Sequence, residues 1–452
     1  MFTLITPLYQ ALISHKMLPQ SLFLSLFFTL ISSPSCFSSF QDDNLANFLD
    51  GTPGPSAYPP FFGTIDKDRA VDFEASFANL QMEYEAEIVD STRYDQLGTP
   101  ATSLGEVNVD DFGAKGDGVT DDTEAFKTAW EETCSSNTAV LVVPQNKKYH
   151  VKPITFSGPC KSDSVKLKIL GTIKASEDPS DYAKDRSRWL LFYNIKNFQV
   201  EGQGTIDGNG KIWWKNSCKI NITQPCTNAP TAVSFVQCDN LKVYGLNVQD
   251  AQQMHVSFEE SMNVQASNIM VTSSEESPNT DGIHVTRSEN VQIIKTVIKT
   301  GDDCISIVNG STNIEAIDVT CGPGHGISIG SLGKGKSEAR VSNVMVNTAK
   351  LIGTTNGVRI KTWQGGSGYA ENIVFQDIKM ENVSNPIIID QNYCDQETPC
   401  NEQNSAVQIR NIVYKNITGT SATKMTIIFN CSKTLPCQGI VQKDINLVYK
   451  EN

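Results

Sequence analysis

Three carboxylates, an imidazole and two fixed cations fall within about eighty residues of this 452-residue chain, in segments that resemble one another. SPNTDGIHV carries Asn279 and Asp281, TGDDCISI carries Asp302 and Asp303, GPGHGISIGSLG carries His325, and GVRIKTW carries Arg359 and Lys361. Each has a plain reading alone: an Asp beside Gly is most often a turn residue, a His between glycines a loop residue, and alternating Arg and Lys a solvated face. Their coincidence in four successive segments points to chemistry. Carboxylates across a groove suit glycosidic cleavage, one protonated to donate to the leaving oxygen while others hold and deprotonate the attacking water. Crowding three aspartates raises the pKa of at least one, because like charges at close range do not all ionise cheaply. Arg359 and Lys361 stand at i and i+2, on one face of a strand, where they would bind a carboxylate on the sugar. An acidic polysaccharide is then the natural substrate, and His325 would tune or orient the acid. Asp302 and Asp303 point to opposite faces of a regular strand, so both serve one site only if the chain bends there, as Gly301 permits.

The elements that must hold these groups are visible as a repeat. Asn followed by alternating aliphatics recurs at Asn197, Asn240, Asn263, Asn290, Asn313, Asn343, Asn372 and Asn411, and from Asn240 to Asn372 the steps are 23, 27, 23, 30 and 29 residues. Short β-branched strands at that interval, without intervening helices, predict an all-β parallel β-helix in which each turn of chain stacks on the last. The asparagines would form a hydrogen-bonded ladder at one corner. Coils stacked at the strand spacing place side chains 20 to 30 residues apart in rows along a groove, a site shape for a polymer. Ahead of the repeat, FGAKGDGVTDDTEAFKTAW predicts a Gly-rich turn and a short capping helix starting at Asp121 to Thr123 and ending near Trp130.

Three regions are expected. Residues 1–38 hold one charge, Lys16, then the apolar run LFLSLFFTLI and several serines, the pattern of a secretory signal peptide; Met17 is an alternative start, and an uncleaved membrane anchor the plainer alternative. Residues 39–106 form an acidic linker or prosegment, and residues 107–452 the β-helix. The linker opens with the Pro- and Gly-rich stretch 51–63, followed by Phe73, Phe77, Leu80 and Tyr84 on one helical stripe. Of the formal charge of −13, residues 42–106 carry −10, with 13 acidic residues against Lys67, Arg69 and Arg93; with Lys16 outside both regions, 107–452 holds −4. An acidic aromatic segment ahead of a groove bearing Arg359 and Lys361 suggests a prosegment mimicking a polyanion, the alternative being a solvated spacer. The overall acidity sets nucleic acid aside as a partner. Twelve cysteines and N-x-S/T sequons at Asn221, Asn309, Asn382, Asn416 and Asn430 fit an exported chain with no membrane contact after leader removal. Cys394 with Cys400, Cys431 with Cys437 and Cys304 with Cys321 are candidate pairs, and loss of Cys36 with the leader would leave one thiol over. No spacing suggests zinc.

Taken together FGAKGDGVTDDTEAF, GQGTIDGNGKIWW, SPNTDGIHV, TGDDCISI, GPGHGISIGSLG, GVRIKTWQGG and IIIDQNYC make the chain from about Val107 onward resemble the plant polygalacturonases, pectin-hydrolysing members of glycoside hydrolase family 28. The resemblance implies a right-handed parallel β-helix and inverting, cofactor-free hydrolysis of α-1,4-linked galacturonan by a monomer. Position by position, Asp302 matches the general acid, Asp281 and Asp303 the water-activating pair, and His325 the histidine assisting the acid. Asn279 matches a substrate-side position, Arg359 and Lys361 the carboxylate-binding pair, and Tyr393 a substrate-contacting tyrosine. Many relatives continue past the equivalent of Asn452 with a further cysteine-bearing tail. Internal cleavage is expected, with cleavage from chain ends as the alternative. A pectate lyase would instead eliminate with a basic residue and calcium, and a non-catalytic wall-binding β-helix would keep the groove without turnover.

Overall fold

Each repeat turns its corner at the asparagine. All eight adopt the left-handed conformation, with φ between 50° and 58°, a region Asn enters at small cost because its short amide bonds locally. The side chains then stack: each Nδ2 donates to the Oδ1 of the asparagine one coil earlier, at 2.8 to 3.2 Å from Asn240 through Asn411. This is the expected ladder. The structure, a computed structural model, describes residues 105–137, 140–221, 223–395 and 400–451. The leader expected at 1–38 lies outside the described residues, as does the acidic segment at 39–106 apart from Gly105 and Glu106.

Between the corners, the alternating aliphatics form the expected right-handed parallel β-helix. One sheet holds ten strands stacked in chain order: Ile154–Ser157, Arg188–Tyr193, Thr231–Val236, Val256–Glu259, Ile283–Thr286, Ile305–Ile307, Ile327–Leu332, Asn356–Trp363, Asn385–Tyr393 and Ile427–Asn430. Every neighbouring pair is parallel. Eighteen strands form the second sheet, whose later members run on through the asparagine corner, as in Glu289–Lys299 and Ser311–Cys321. Inward residues of successive coils pack in columns. Phe156, Phe192, Phe235 and Phe258 stack at centroid distances of 4.9, 5.0 and 5.6 Å, and Ile283, Ile305, Ile327, Val358 and Ile387 continue the buried interior. Each such side chain contributes about 1.5–3 kcal/mol by leaving water, so the columns hold the coils in register.

The first helix, α1 (Thr123–Ser135), covers the N-terminal end, with Trp130 edge-on to Phe156 and Phe198. It runs five residues past the predicted end at Trp130. Thr133 is buried on the same stripe, and the disulfide from Cys134 to Cys160 holds the last turn. The Asp122 carboxylate, at the N-cap position, accepts instead from the N–H groups of Lys115 and Gly116, closing the preceding Gly-rich turn. The three expected disulfides form, joined by Cys134 to Cys160 and Cys218 to Cys226. Cys238 is free and buried, and burial pushes its thiol up to about 12. All five sequon asparagines are exposed. Among the described residues no helix is long and apolar enough to cross a membrane.

Candidate active site

Successive coils present their chemistry at one place, the turn that leads into each strand of the ten-stranded sheet. Asn279 and Asp281 precede Ile283–Thr286, Asp302 and Asp303 precede Ile305–Ile307, and His325 precedes Ile327–Leu332. Because both adjacent aspartates lie before the strand starts, neither is forced to the opposite face. Gly301 allows this through proximity: a Cβ there would sit 2.1 Å from the Ser277 carbonyl oxygen. Arg359 and Lys361 lie within Asn356–Trp363, on one face as their spacing required.

Asp303 is the anchor. It is 2% exposed, and its Oδ1 accepts from the Ser328 hydroxyl and Arg359 Nη2, both at 2.7 Å, while Oδ2 accepts from Lys361 Nζ at 2.8 Å. Arg359 Nε also donates to the Ser328 hydroxyl, at 3.0 Å. Two cations and a hydroxyl on one buried carboxylate satisfy it as an anion. Lys361 Nζ lies 5.5 Å from the centroid of the Tyr393 ring, and Trp363 meets the same ring edge-on at 5.4 Å.

Asp302 faces the groove. Its Oδ1 accepts the Asp303 N–H at 2.8 Å and lies 2.9 Å from His325 Nδ1, while Asn279 Nδ2 approaches its Oδ2 at 3.4 Å. Burial alone would raise this carboxyl, but the hydrogen bond and charge of His325, with the charge of Lys361, hold it below the usual value. His325 is raised in return by that hydrogen bond, against the effect of its own burial.

Asp281 is shifted the other way: burial raises its carboxyl first, and the charge of Asp302 raises it further. Its Oδ2 accepts the Ser306 hydroxyl at 2.6 Å, and Ser306 Oγ is 2.7 Å from His284 Nδ1. With the Ser306 proton committed to the carboxylate, His284 supplies the proton of the second bond. Beneath them His255 Nδ1 bonds the Asp281 carbonyl oxygen at 3.0 Å, and burial depresses this histidine to about 4, so the ring is neutral.

All eight residues predicted from the sequence therefore meet along one stretch of the groove. His255, His284, Ser306 and Ser328 were not among them. The last three share one register row, with His284 paired to Ser306, Ser306 to Ser328 and Ser328 to Arg359. The signal was present in DGIHV, DCISI and HGISI, where a polar residue alternates with buried aliphatics. Asp302, Asp303 and His325 also bring ligand atoms within 4.8 Å of one another, as a metal site would. They fit a cation poorly, because both oxygens of Asp303 are held by fixed positive charges that a metal ion would have to displace or face.

The family profile of glycosyl hydrolases family 28 matches residues 133–452. The chain is 52% identical to Polygalacturonase-2 of Solanum lycopersicum, over 92% of this chain and 87% of that one. It is 53% identical to the polygalacturonase of Malus domestica, over 94% and 93%. Its fold is shared with the crystal structure of endo-xylogalacturonan hydrolase from Aspergillus tubingensis, at a TM-score of 0.67 and 24% identity, over 76% of this chain and 93% of that one.

Proposed function

This chain belongs to glycosyl hydrolases family 28, and from that premise we propose that it is a secreted polygalacturonase hydrolysing α-1,4 bonds within the demethylated chains of cell-wall pectin. The observation that carries the reading is the fixed cationic pair, Arg359 and Lys361, docked on Asp303 beside the carboxylates of Asp281 and Asp302. A site that joins carboxylates to cations in this way suits an anionic sugar.

Asp302 is the general acid, donating to the leaving oxygen. Asp281 takes the proton of the attacking water; Asp303, expected from the resemblance to share that role, has both oxygens engaged by Arg359, Lys361 and Ser328 and positions the site instead. In the substrate-free site the electrostatics oppose a proton on Asp302, since His325 and Lys361 favour its carboxylate. Binding answers this: a galacturonate carboxylate on Arg359 and Lys361 neutralises charge that holds Asp302 low, so its affinity for a proton rises as the substrate arrives. His325 then steadies the carboxylate left after donation. Water attacking from the face opposite the leaving group gives inversion. Asn279 and Tyr393 border the bound sugars. Internal cleavage is supported by the site's place in mid-sheet, with four strands before Ile283–Thr286 and two after Asn356–Trp363, so that coils extend the groove both ways.

Purified protein incubated with demethylated polygalacturonate and a chelator tests the reading. Saturated oligomers, new reducing ends and a rapid fall in viscosity are expected. Activity lost to the chelator, or unsaturated products in its absence, would make it a lyase, monomer alone an end-acting enzyme, and binding without new reducing ends, with or without the chelator, a non-catalytic module. The proton argument predicts that the basic limb of kcat, which reports the complex, lies at higher pH than that of kcat/KM, which reports the free enzyme.

A further inference from the structure

Past Asn279, the groove wall runs on toward the N-terminal coils into an open pocket. Pro278 and Asn279 form its edge nearest the carboxylates, and Arg186, Trp213, Gln252 and Gln253 lie farther along. Arg186, Gln252 and Gln253 hold the same station in their coils as the site residues do. Arg186 stands just before Arg188–Tyr193, and Gln252 and Gln253 just before Val256–Glu259. The Arg186 strand is four places from the Asp302 strand, which at the usual strand spacing is roughly 19 Å.

Arg186 is an unused cation. It is exposed, its guanidinium carbon lies 5.3 Å from the centroid of the Trp213 ring, and it makes no hydrogen bond or ion pair among the described residues. Its acidic neighbour is turned elsewhere: the Asp185 carboxylate accepts the N–H and hydroxyl of Ser187 at 2.8 and 2.5 Å. Trp213 is itself fixed by Tyr182, edge-on at 5.2 Å, whose hydroxyl accepts from Gln252 Nε2 at 3.2 Å. Gln252 is 1% exposed, and its Oε1 is buried in the pocket wall with no partner among the described residues. A guanidinium stacked on an indole keeps its planar set of donors, which matches a carboxylate, and the orphaned amide oxygen accepts a hydroxyl.

We propose that this pocket is a second carboxylate-recognising subsite, for an unesterified galacturonate unit several units from the scissile bond, on the side opposite Arg359 and Lys361. The inference rests on the hydrolase reading above. It gives the groove two cationic anchors flanking Asp302, so chains long enough to reach both are favoured over short ones, and free carboxylates over methyl esters.

The test is Arg186→Gln on the full chain, with kcat/KM measured on long polygalacturonate, on a galacturonate trimer and on highly methyl-esterified pectin, and with thermal melting to check the fold. Loss of one charge-assisted contact at an exposed site is expected to cost about tenfold more on the long polymer than on the trimer, and the penalty shrinks on the esterified polymer. Arg186→Lys, which keeps the charge without the planar stack, falls between. An equal loss on polymer and trimer, or no loss on the polymer, overturns the subsite. An unmutated protein that hydrolyses none of the three overturns the hydrolase reading instead.

Discussion

Replacing Ser306 by Ala removes one hydroxyl and should move one pKa. The Ser306 hydroxyl donates to Asp281 Oδ2 at 2.6 Å in a nearly closed site, and its own oxygen is met by His284 at 2.7 Å. A hydrogen bond to a charged group is worth about 1.5–3 kcal/mol, and one pKa unit corresponds to about 1.4 kcal/mol, so removing this donor raises the Asp281 carboxyl by about one to two units. Side-chain exposure of 13% at Asp281 lets water recover part of this, which favours the lower figure. If Asp281 must be ionised to accept a proton from water, the acidic limb of kcat/KM shifts up by about one pH unit, while the plateau above it falls little. The assay is release of reducing ends from polygalacturonate across the acidic range, with Ser306→Thr as the variant that keeps the hydroxyl and the wild-type limb. A lowered plateau with an unmoved limb would refute the reasoning and leave Ser306 a packing residue, as would a Thr variant that behaves like Ala.

Asp303→Asn strips the buried partner from two cations whose side chains are only 13% and 10% exposed; a loss of about 3–5 kcal/mol is expected in denaturant unfolding, together with loss of turnover. His255 gives a pH dependence with a definite sign: its folded pKa of about 4 lies below the ordinary 6.5, so the unfolded chain binds the extra proton, and stability is full above pH 6.5 and falls as pH drops toward 4. The fall approaches about 3 kcal/mol, and acid unfolding of His255→Gln should lack that component. For the acidic segment, a chain beginning at Val107 is expected to exceed one that retains residues 42–106 in activity at low salt, with the gap closing at high salt; equal activities at both would rule out shielding of the groove.

Much of this molecule was legible because its rules are local. An asparagine able to enter the left-handed region, followed by period-two aliphatics, specifies one coil, and eight of them specify a stack, so the β-helix and its ladder could be written down from Asn197 to Asn411. The same counting put Asn279, Asp281, Asp302, Asp303 and His325 on successive coils, and the spacing of Arg359 and Lys361 put both on one face. What only the tertiary structure decided was partnership between coils. The step from Asn197 to Asn240 is 43 residues and the next is 23, so loop lengths hide which side chains come to lie level. Register alone sets His284 beside Ser306, Ser306 against Asp281, and Ser328 between Asp303 and Arg359. The sequence could not show that Asp303 spends both oxygens on cations while Asp302 keeps one toward the groove, since adjacent identical residues differ only in what the neighbouring coils bring to them. Arg186 was invisible for the same reason: an arginine is unpaired, or stacked on Trp213, only by reference to atoms far along the chain.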